Sequence, residues 1–350
     1  MEIPYTVVVT GSSGMVGSAL KKIVYTHQTD NIKFAKQYKW VWLTRKEVDL
    51  ESYTKVYTHF ENYNTERTIV INLAANVGGL FKNMENNVGM FESNIRINLN
   101  ILEACRKLKV PKVINILSTC IFPNEVEYPL TEDQINNGEP HNSNPGYSYS
   151  KRTGQIYCKL INDSAKDYYN YVNLIPTNLY GNRDNYNIDD AHVIPAIIHK
   201  CFKIVKSKSN MGSSGGTSSD TLILPGDGTA ERMFLYDEDF AKVILGMACF
   251  KEARGDYIVS GGISDSITID TLANTIADKV YTITGNRVKI EFEKTKAGNG
   301  QNKKPCSNQK LVNLYAETDD KIPIEDGELE ENLENVIKWF WNNYDDYGRK

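Results

Sequence analysis

The chain has 350 residues, of which 41% are hydrophobic and 24% are charged, and its formal net charge is −4 at pH 7. This length allows a large buried core and predicts one nucleotide-binding domain with a smaller appended region. The slightly acidic balance, with no basic tail, argues against nucleic acids and acidic membrane surfaces as partners. No apolar run approaches the roughly 20 residues that a membrane span requires, and the first residues lack the basic region of a signal peptide. We therefore expect a soluble, cytoplasmic protein.

The six cysteines are never closer than fifteen positions, which excludes the Cys-x-x-Cys spacing of metal and redox sites. Isolated cysteines of this kind suit reduced thiols in the cytosol, and we expect no bound metal. They are Cys105, Cys120, Cys158, Cys201, Cys249 and Cys306.

Short apolar runs alternate with helical patterns along the chain, which is typical of a parallel sheet covered by helices. The predicted fold class is α/β, a Rossmann-type doubly wound parallel sheet with a smaller C-terminal α/β substrate region. The predicted elements are strands at 5–10, 39–44, 68–73, 111–118 and 170–176, a helix over 147–168, and a strand near 256–260 that rejoins the sheet.

The same patterns predict the domain organisation. The nucleotide-binding domain covers 1–176 with a return segment at 234–262, and the substrate region comprises 177–233 and 263–350. The Ser- and Gly-rich stretch 206–220 predicts a mobile surface insertion, because the strand-like residues 222–224 follow at once. Residues 328–341 predict an amphipathic C-terminal helix whose aromatic side chains serve packing.

A glycine-rich turn follows the first strand. Three glycines, spaced three apart, come directly after Val7-Val8-Val9, and an apolar helical pattern follows them. Glycine allows a close backbone approach to a ligand, and a helix N-terminus offers free N–H groups to a pyrophosphate. The turn therefore predicts a dinucleotide site rather than a plain strand-to-helix connection. The predicted contacts are Gly11, Ser12, Ser13, Gly14, Met15, Val16 and Gly17.

The second strand ends in Thr44-Arg45. In dinucleotide folds an acidic residue at this point binds the ribose hydroxyl of NAD, whereas a guanidinium suits the 2′-phosphate of NADP. Arg45 therefore predicts NADP as the cofactor, the alternative being a solvated surface arginine. Asp49 and Leu50 would then flank the adenine.

Tyr147 and Lys151 have the spacing Tyr-x-x-x-Lys, which places both on one helix face. A neighbouring ammonium stabilises a phenolate, so we expect a lowered pKa for Tyr147 and a proton donor for a carbonyl oxygen. With 21 tyrosines in the chain this spacing can arise by chance, and Tyr149 is a nearby alternative. Ser118 strengthens the pattern because it ends the fourth predicted strand, at the sheet edge where such folds bind ligands.

Ser118, Tyr147 and Lys151, with the glycine turn and Ala74-Ala75, resemble the extended short-chain dehydrogenase/reductase family over most of the chain. Residues 74–79, 118–123, 176–181 and 192–195 are similar to family members that act on GDP-4-keto-6-deoxy-D-mannose. The resemblance implies 3,5-epimerisation followed by NADPH-dependent reduction at C4 to GDP-L-fucose. It also implies a homodimer, formed through the Tyr147 helix and residues 86–108. Implied cofactor contacts are Ala74, Ala75, Tyr147, Lys151, Pro176, Asn178, Leu179 and His192.

Two residues outside the Ser-Tyr-Lys set fit the epimerisation. A ketone at C4 acidifies the C–H bonds at C3 and C5, and each inversion needs one group to remove a proton and another to return it. Cys120 lies two residues beyond Ser118, and His192 lies in a later segment that can face the same cleft. The family implies this pair, with Cys120 favoured as base and His192 as acid and the direction left open. The alternatives are a buried free cysteine and a core or surface histidine.

The pyrophosphate of a nucleotide sugar needs cations. The resemblance implies Lys200, Arg232 and Lys304 in this role, although Lys303 beside Lys304 is an equal candidate and single lysines are more often solvated.

Two other functions remain open. The first is a sugar-nucleotide 4-epimerase or 4,6-dehydratase on the same fold. The dehydratases have an acidic pair after the Ser/Thr position, whereas this chain has Thr119-Cys120-Ile121. The second is a non-enzymatic NADP-binding regulator, which predicts a damaged catalytic set.

Overall fold

The computed structural model describes residues 5–26, 38–211, 220–293, 301–318, 321–325 and 327–348. The strands are β1 (Thr6–Thr10), β2 (Lys39–Trp42), β3 (Thr68–Asn72), β4 (Lys112–Ile116), β5 (Asn170–Pro176), β6 (Asn178–Tyr180), β7 (Thr221–Pro225), β8 (Glu231–Arg232), β9 (Phe234–Tyr236), β10 (Gly255–Val259), β11 (Ile267–Thr268) and β12 (Lys289–Glu293).

The described helices are α1 (Met15–Thr26), α2 (Tyr53–Phe60), α3 (Leu80–Glu85), α4 (Asn87–Lys107), α5 (Pro145–Ser164), α6 (Val193–Met211), α7 (Asp237–Cys249), α8 (Ile269–Thr284), α9 (Gln309–Glu317), α10 (Leu329–Asn342) and α11 (Tyr344–Tyr347). No helix within the described ranges is both long and apolar enough to cross a bilayer.

The central sheet has six strands in the order β10-β5-β4-β3-β1-β2, and all its pairings are parallel. This confirms the predicted α/β fold with its parallel sheet, including the late strand that returns beside β5. The carboxyl ends of parallel strands meet at one edge, and the loops that follow β1, β3 and β4 therefore lie together there.

Helices cover both faces of the sheet, as a parallel sheet requires. Along β1, Val7 and Val9 pack with α1 and α7, whereas Val8 packs on the opposite face with α2, α4 and α5. Successive side chains of a strand point to opposite faces, and helices cover both faces of this sheet. All three valines are therefore fully buried. The continuous apolar run is explained by a strand that has no solvent-facing side.

A row of polar side chains crosses the sheet, four of them buried and the last, Asp256, half-buried. Thr10 Oγ1 donates to Asn72 Oδ1 at 2.9 Å, and Asn72 Nδ2 donates to Asn115 Oδ1 at 3.1 Å. The row continues from Asn115 Nδ2 to Asn173 Oδ1 at 3.0 Å, and from Asn173 Nδ2 to Asp256 Oδ1 at 2.8 Å. Neighbouring members are also paired in the strand register. We call these five residues the polar row.

A second core lies beyond the sheet. It joins α6, β7, α8 and α10, and the amphipathic C-terminal helix buries Leu333, Val336, Ile337 and Phe340 there. The strand at 222–224 is confirmed and pairs in parallel with β12. The prediction of an insertion from residue 206 is wrong in its first part, because 206–211 continue α6 as helix; residues 212–219 lie outside the described residues.

Candidate active site

The turn between β1 and α1 brings the backbone close to its neighbours. Gly11 has φ +67°, and a Cβ at this position would lie 2.8 Å from the backbone nitrogen of Ala74. The amide of Gly14 donates to the Gly11 carbonyl at 3.1 Å, and α1 begins at Met15. Ser12 Oγ is buried without a hydrogen-bond partner. A tight turn, a helix N-terminus and an unpartnered hydroxyl fit the pyrophosphate of a dinucleotide.

The end of β2 lies against this turn. The Ser12 amide donates to the Leu43 carbonyl at 3.2 Å, so the residues that follow Leu43 flank the glycine turn. Arg45 is exposed there, where its guanidinium can reach a ligand. Asp49 is exposed and Leu50 is half-buried; a hydrogen bond from Lys55 holds the pKa of Asp49 below its usual value.

Ser118 and Cys120 lie in one turn at the carboxyl end of β4. Ser118 precedes the 3₁₀ turn Thr119–Ile121, and its hydroxyl oxygen accepts a 3.3 Å hydrogen bond from the Cys120 amide. Burial by itself would raise the pKa of the Cys120 thiol. The Lys304 ammonium, hydrogen bonds from Ser118 and Asn144, and the Arg232 guanidinium outweigh burial, so the pKa of Cys120 is lowered.

Tyr147 and Lys151 project from the first turns of α5 toward this edge. The Lys151 Nζ lies 5.9 Å from the centre of the Tyr147 ring and donates a 2.8 Å hydrogen bond to the Ile116 carbonyl, the last residue of β4. Lys151 is 3% exposed, and burial lowers its pKa to about 8. The bond to Ile116 holds the ammonium beside β4.

The expected lowering of the Tyr147 pKa is wrong. Burial of the phenol, together with the negative charge of the nearby Cys120 thiolate, raises the pKa of Tyr147. The Lys151 ammonium donates its hydrogen bond to the Ile116 carbonyl, and the burial of the phenol dominates its pKa. A raised pKa keeps the phenol protonated at neutral pH, which suits a proton donor.

His192 is exposed immediately before α6, and its carbonyl accepts from the Ala196 amide at 3.0 Å. The preceding residues dock on the loop after β3, because the Gly79 amide donates to the Asp190 carbonyl at 2.9 Å. Within the described parts of the chain no hydrogen bond joins His192 to Cys120. The structure instead places the buried Asp184 near it: burial raises the Asp184 pKa to about 6, and the positive charge of His192 opposes that rise.

Arg232 and Lys304 converge on the Cys120 turn, since both cations lower the pKa of its thiol. Arg232 lies in β8 and donates to the Glu231 carbonyl at 2.7 Å. Lys303 is exposed and pairs with Glu231 at 2.8 Å, which leaves Lys304 as the lysine that acts on Cys120. Lys200 lies in α6, two turns beyond His192. No observation within the described residues brings it together with Arg232 and Lys304.

The structure therefore gathers Ser118, Cys120, Tyr147 and Lys151 at one edge, with Arg232 and Lys304 beside them. The predicted cofactor contacts Pro176, Asn178 and Leu179 lie at the end of β5. The Thr177 amide between them donates to the Val259 carbonyl at 3.1 Å. Asn178 is exposed and Leu179 is half-buried, whereas Ala74 is buried and Ala75 half-buried.

Three polar residues near the site were missed. Asn144 bonds the Cys120 thiol, His141 lies near Arg232 and Lys304, and Asp184 lies near His192. A dense polar turn, His141-Asn142-Ser143-Asn144, directly before the Tyr147 helix was the available signal for two of them.

A family model described as the NAD dependent epimerase/dehydratase family matches residues 7–259. The GDP-L-fucose synthase of Dictyostelium discoideum is 36% identical over 97% of this chain and 96% of that relative. The chain belongs to the GDP-L-fucose synthase group of this family.

Two further comparisons agree with membership of this group. A protein of Drosophila melanogaster named probable GDP-L-fucose synthase is 33% identical over 97% of this chain and 98% of that relative. The crystal structure of a GDP-L-fucose synthetase from Naegleria fowleri bound to NADP superposes with a TM-score of 0.82, at 32% identity, covering 100% of this chain and 96% of that one. The match extends beyond the sheet into the second core.

Proposed function

We propose that this chain converts GDP-4-keto-6-deoxy-D-mannose to GDP-L-fucose, by epimerisation at C3 and C5 followed by NADPH-dependent reduction at C4. The observation that carries the proposal is the Cys120 thiol, whose pKa is lowered in the same turn that holds Ser118. A 4,6-dehydratase would need carboxylates in this turn, and Thr119-Cys120-Ile121 has none. A simple reductase would need no thiolate.

In the epimerisation, the Cys120 thiolate removes a proton from the carbon beside the ketone. The electron pair that is left spreads onto the C4 oxygen, and Ser118 and Tyr147 donate hydrogen bonds to that oxygen as its charge grows. His192 returns a proton on the opposite face of the sugar ring, and the buried Asp184 lies near it. Each inversion thus ends with the proton count of substrate unchanged.

NADPH, when bound, supplies the hydride that reduces the C4 ketone. Tyr147 gives its phenolic proton to the C4 oxygen, and its raised pKa ensures that the proton is present at neutral pH. Lys151 stays beside Tyr147 through its bond to Ile116 and stabilises the phenolate that remains. The glycine turn and Arg45 would hold the pyrophosphate and the 2′-phosphate, as the unpartnered Ser12 hydroxyl and the exposed guanidinium support.

We also propose that Arg232, Lys304 and Lys200 hold the substrate pyrophosphate. The first two lie near Cys120, which supports a substrate whose pyrophosphate and keto sugar bind in the same cleft. Lys200 rests on the family resemblance alone. With this arrangement, residues 1–176 and 234–262 would form the cofactor domain, and 177–233 and 263–350 the substrate region.

The decisive experiment separates the two half-reactions. Without NADPH, the enzyme in heavy water should wash deuterium into C3 and C5 of the 4-keto sugar, as NMR can follow. Cys120→Ser should nearly abolish this exchange, because a hydroxyl has a far higher pKa than a thiol. Cys249→Ser, a part-exposed thiol on α7, is the matched control and should exchange like wild type.

With NADPH, Cys120→Ser should yield a reduced but unepimerised GDP-6-deoxyhexose. Tyr147→Phe should slow reduction by about 10²–10⁴-fold. Full deuterium exchange in Cys120→Ser would overturn the thiolate mechanism. The proposed function itself would be overturned by either of two results. One is oxidation of NADPH in the absence of a 4-keto sugar nucleotide, and the other is no oxidation of NADPH in its presence.

We further propose a homodimer formed by α4 and α5. Val88 on α4 is 71% exposed, and Ile156 and Leu160 on α5 are 43% and 59% exposed, so these apolar side chains do not belong to the core of one chain. The two helices pack on each other, and two copies would complete a four-helix bundle. Leu160→Glu should therefore convert the dimer to a monomer in analytical ultracentrifugation, and an unchanged mass in that variant would exclude this interface.

We also propose that the protein is cytoplasmic. None of the six cysteines, all of which lie in the described ranges, forms a disulfide, and thiols persist in a reducing compartment. Fractionation of cells should recover the protein with the cytosol.

A further inference from the structure

His141 lines a cavity of about 420 Å³. The other residues that line the cavity are Asn124, Tyr128, Gln301, Asn302 and Lys303. Every one of them is polar or carries a polar atom, which fits a hydrophilic ligand. His141 is part-buried, so its ring is held by the protein and still reaches the cavity.

The hydrogen bonds of the His141 ring fix which nitrogen carries the proton. The Ser143 amide donates to His141 Nδ1 at 3.1 Å, and the Ser143 hydroxyl lies 2.8 Å from the same nitrogen. A backbone amide can only donate, so Nδ1 is an acceptor and the proton of the neutral ring is on Nε2. Nε2–H is therefore the group that His141 can offer to a ligand.

Positive charge surrounds this ring. Arg232 Nη1 donates at 3.4 Å to the carbonyl of Asn302, which lines the cavity, and Lys304 directly follows the lining residue Lys303. Burial, Lys304 and Arg232 together lower the pKa of His141. Lys303 faces the same cavity and is paired with Glu231, and Tyr128 adds a phenol. The same two cations act on Cys120, so His141 and the thiol share one electropositive region.

The turn that carries His141 also reaches the thiol. Asn144, three residues on, donates to Cys120, and its own amide donates to the His141 carbonyl at 3.4 Å. The turn 141–144 thus joins the base at one end to the cation pair at the other. A ligand that spans both ends would carry a keto sugar next to Cys120 and an anionic group next to His141.

We propose that His141 is a third binding residue for the pyrophosphate, with Nε2–H donating to a phosphate oxygen between Arg232 and Lys304. The inference rests on the proposed function, which supplies a nucleoside-diphosphate sugar as the ligand. The ring donates in its neutral form, because a second proton would have to displace the Ser143 amide from Nδ1, and the two nearby cations oppose it.

The test uses GDP-mannose as the probe, because its pyrophosphate has no group that titrates between about pH 5 and 8. His141→Asn keeps an acceptor for the Ser143 amide and removes the Nε2–H donor. His141→Gln places an amide N–H near the lost Nε2. In titration calorimetry at pH 7, His141→Asn should bind GDP-mannose about tenfold more weakly, and His141→Gln within about threefold of wild type.

A second readout follows the proton. Calorimetry of wild type at pH 7, in buffers of different ionisation enthalpy, should show no proton uptake on binding, because Nδ1 accepts from the Ser143 amide. Uptake of a proton would contradict donation by a neutral ring. NADPH affinity should be equal in all three proteins, since His141 lies in the substrate cleft.

Equal GDP-mannose affinity in wild type and His141→Asn would overturn this inference and leave the proposed function standing. Absence of GDP-mannose binding by wild type would overturn both. Recovery of affinity in His141→Gln supports the hydrogen bond, because the amide N–H of Gln replaces the lost Nε2–H.

Discussion

The backbone amide of Cys120 donates a 3.3 Å hydrogen bond to the hydroxyl oxygen of Ser118. Because the oxygen accepts this bond, the Ser118 proton remains available to the thiolate or to a substrate carbonyl. One turn thus holds a donor for the ketone and a base for the carbon next to it. The two halves of the proposed reaction need no large movement of the sugar between them.

The first prediction concerns thiol reactivity. Iodoacetamide at pH 7 should modify Cys120 at least tenfold faster than the buried cysteines, because its pKa is lowered whereas burial raises theirs. Peptide mapping by mass spectrometry gives the rate at each site. Ser118→Ala should slow modification of Cys120, since the thiolate loses a hydrogen bond. Equal rates at Cys120 and Cys105 would contradict the proposed electrostatics.

The second prediction concerns cofactor choice. Arg45→Ala should weaken NADPH binding by about 1.5–3 kcal/mol, the contribution of a charge-assisted hydrogen bond, and leave NADH binding nearly unchanged. Lys46→Ala removes a neighbouring exposed cation and serves as the control. Fluorescence titration measures both cofactors. If both lose affinity equally, Arg45 does not contact the 2′-phosphate.

The third prediction is a pH dependence. Burial lowers the pKa of Lys151 to about 8, so its ammonium form is lost as the pH rises through that value. The kcat/KM for NADPH should therefore fall above about pH 8. Lys159→Met, an exposed lysine of the same helix, should keep this alkaline limb. A limb near the ordinary lysine pKa of about 10.4 would assign it to another group.

The lowered pKa of Lys151 also changes how stability depends on pH. Between about pH 8 and 10.4 the unfolded chain holds the Lys151 proton and the folded chain does not, so the contribution of this group to the free energy of unfolding rises with pH.

The fourth prediction concerns the polar row. Asn115→Ala removes the acceptor of Asn72 and the donor to Asn173, both of which are buried. The free energy of unfolding should fall by about 1–3 kcal/mol for each buried group left unpaired. Urea denaturation measures it, and Asn137→Ala, at an exposed position, should change it by less than about 0.5 kcal/mol. A neutral Asn115→Ala would mean that water replaces the lost amide.

Apolar periodicity was sufficient to predict the central sheet, because its strands are buried on both faces and appear as continuous apolar runs. It misplaced boundaries: β2 ends at Trp42 rather than 44, and the helix of Tyr147 spans Pro145–Ser164 rather than 147–168. The prediction of a surface insertion from residue 206 was wrong for the end of α6, since the sequence of 206–211 is polar and has no apolar helical pattern.

The sequence predicted some residues of the candidate site and not others. Motif spacing was enough to select Ser118, Tyr147 and Lys151, which the fold gathers at one edge. The direction of the Tyr147 pKa was wrong because burial is a property of the folded chain. His141 and Asp184 were missed because polar residues in loops acquire a role only from neighbours distant in sequence.

The polar row decides how the strands can slide past each other. A slip of one residue would turn an amide toward the opposite, apolar face. A slip of two residues keeps every apolar side chain on its proper face, and hydrophobic burial alone would tolerate it. That slip shifts an amide by about 6.6 Å along its neighbour, beyond the reach of a hydrogen bond. The relative heights of the loops after β1, β3 and β4, which carry the glycine turn, Ala74 and Ser118, are therefore set by amides buried beneath them.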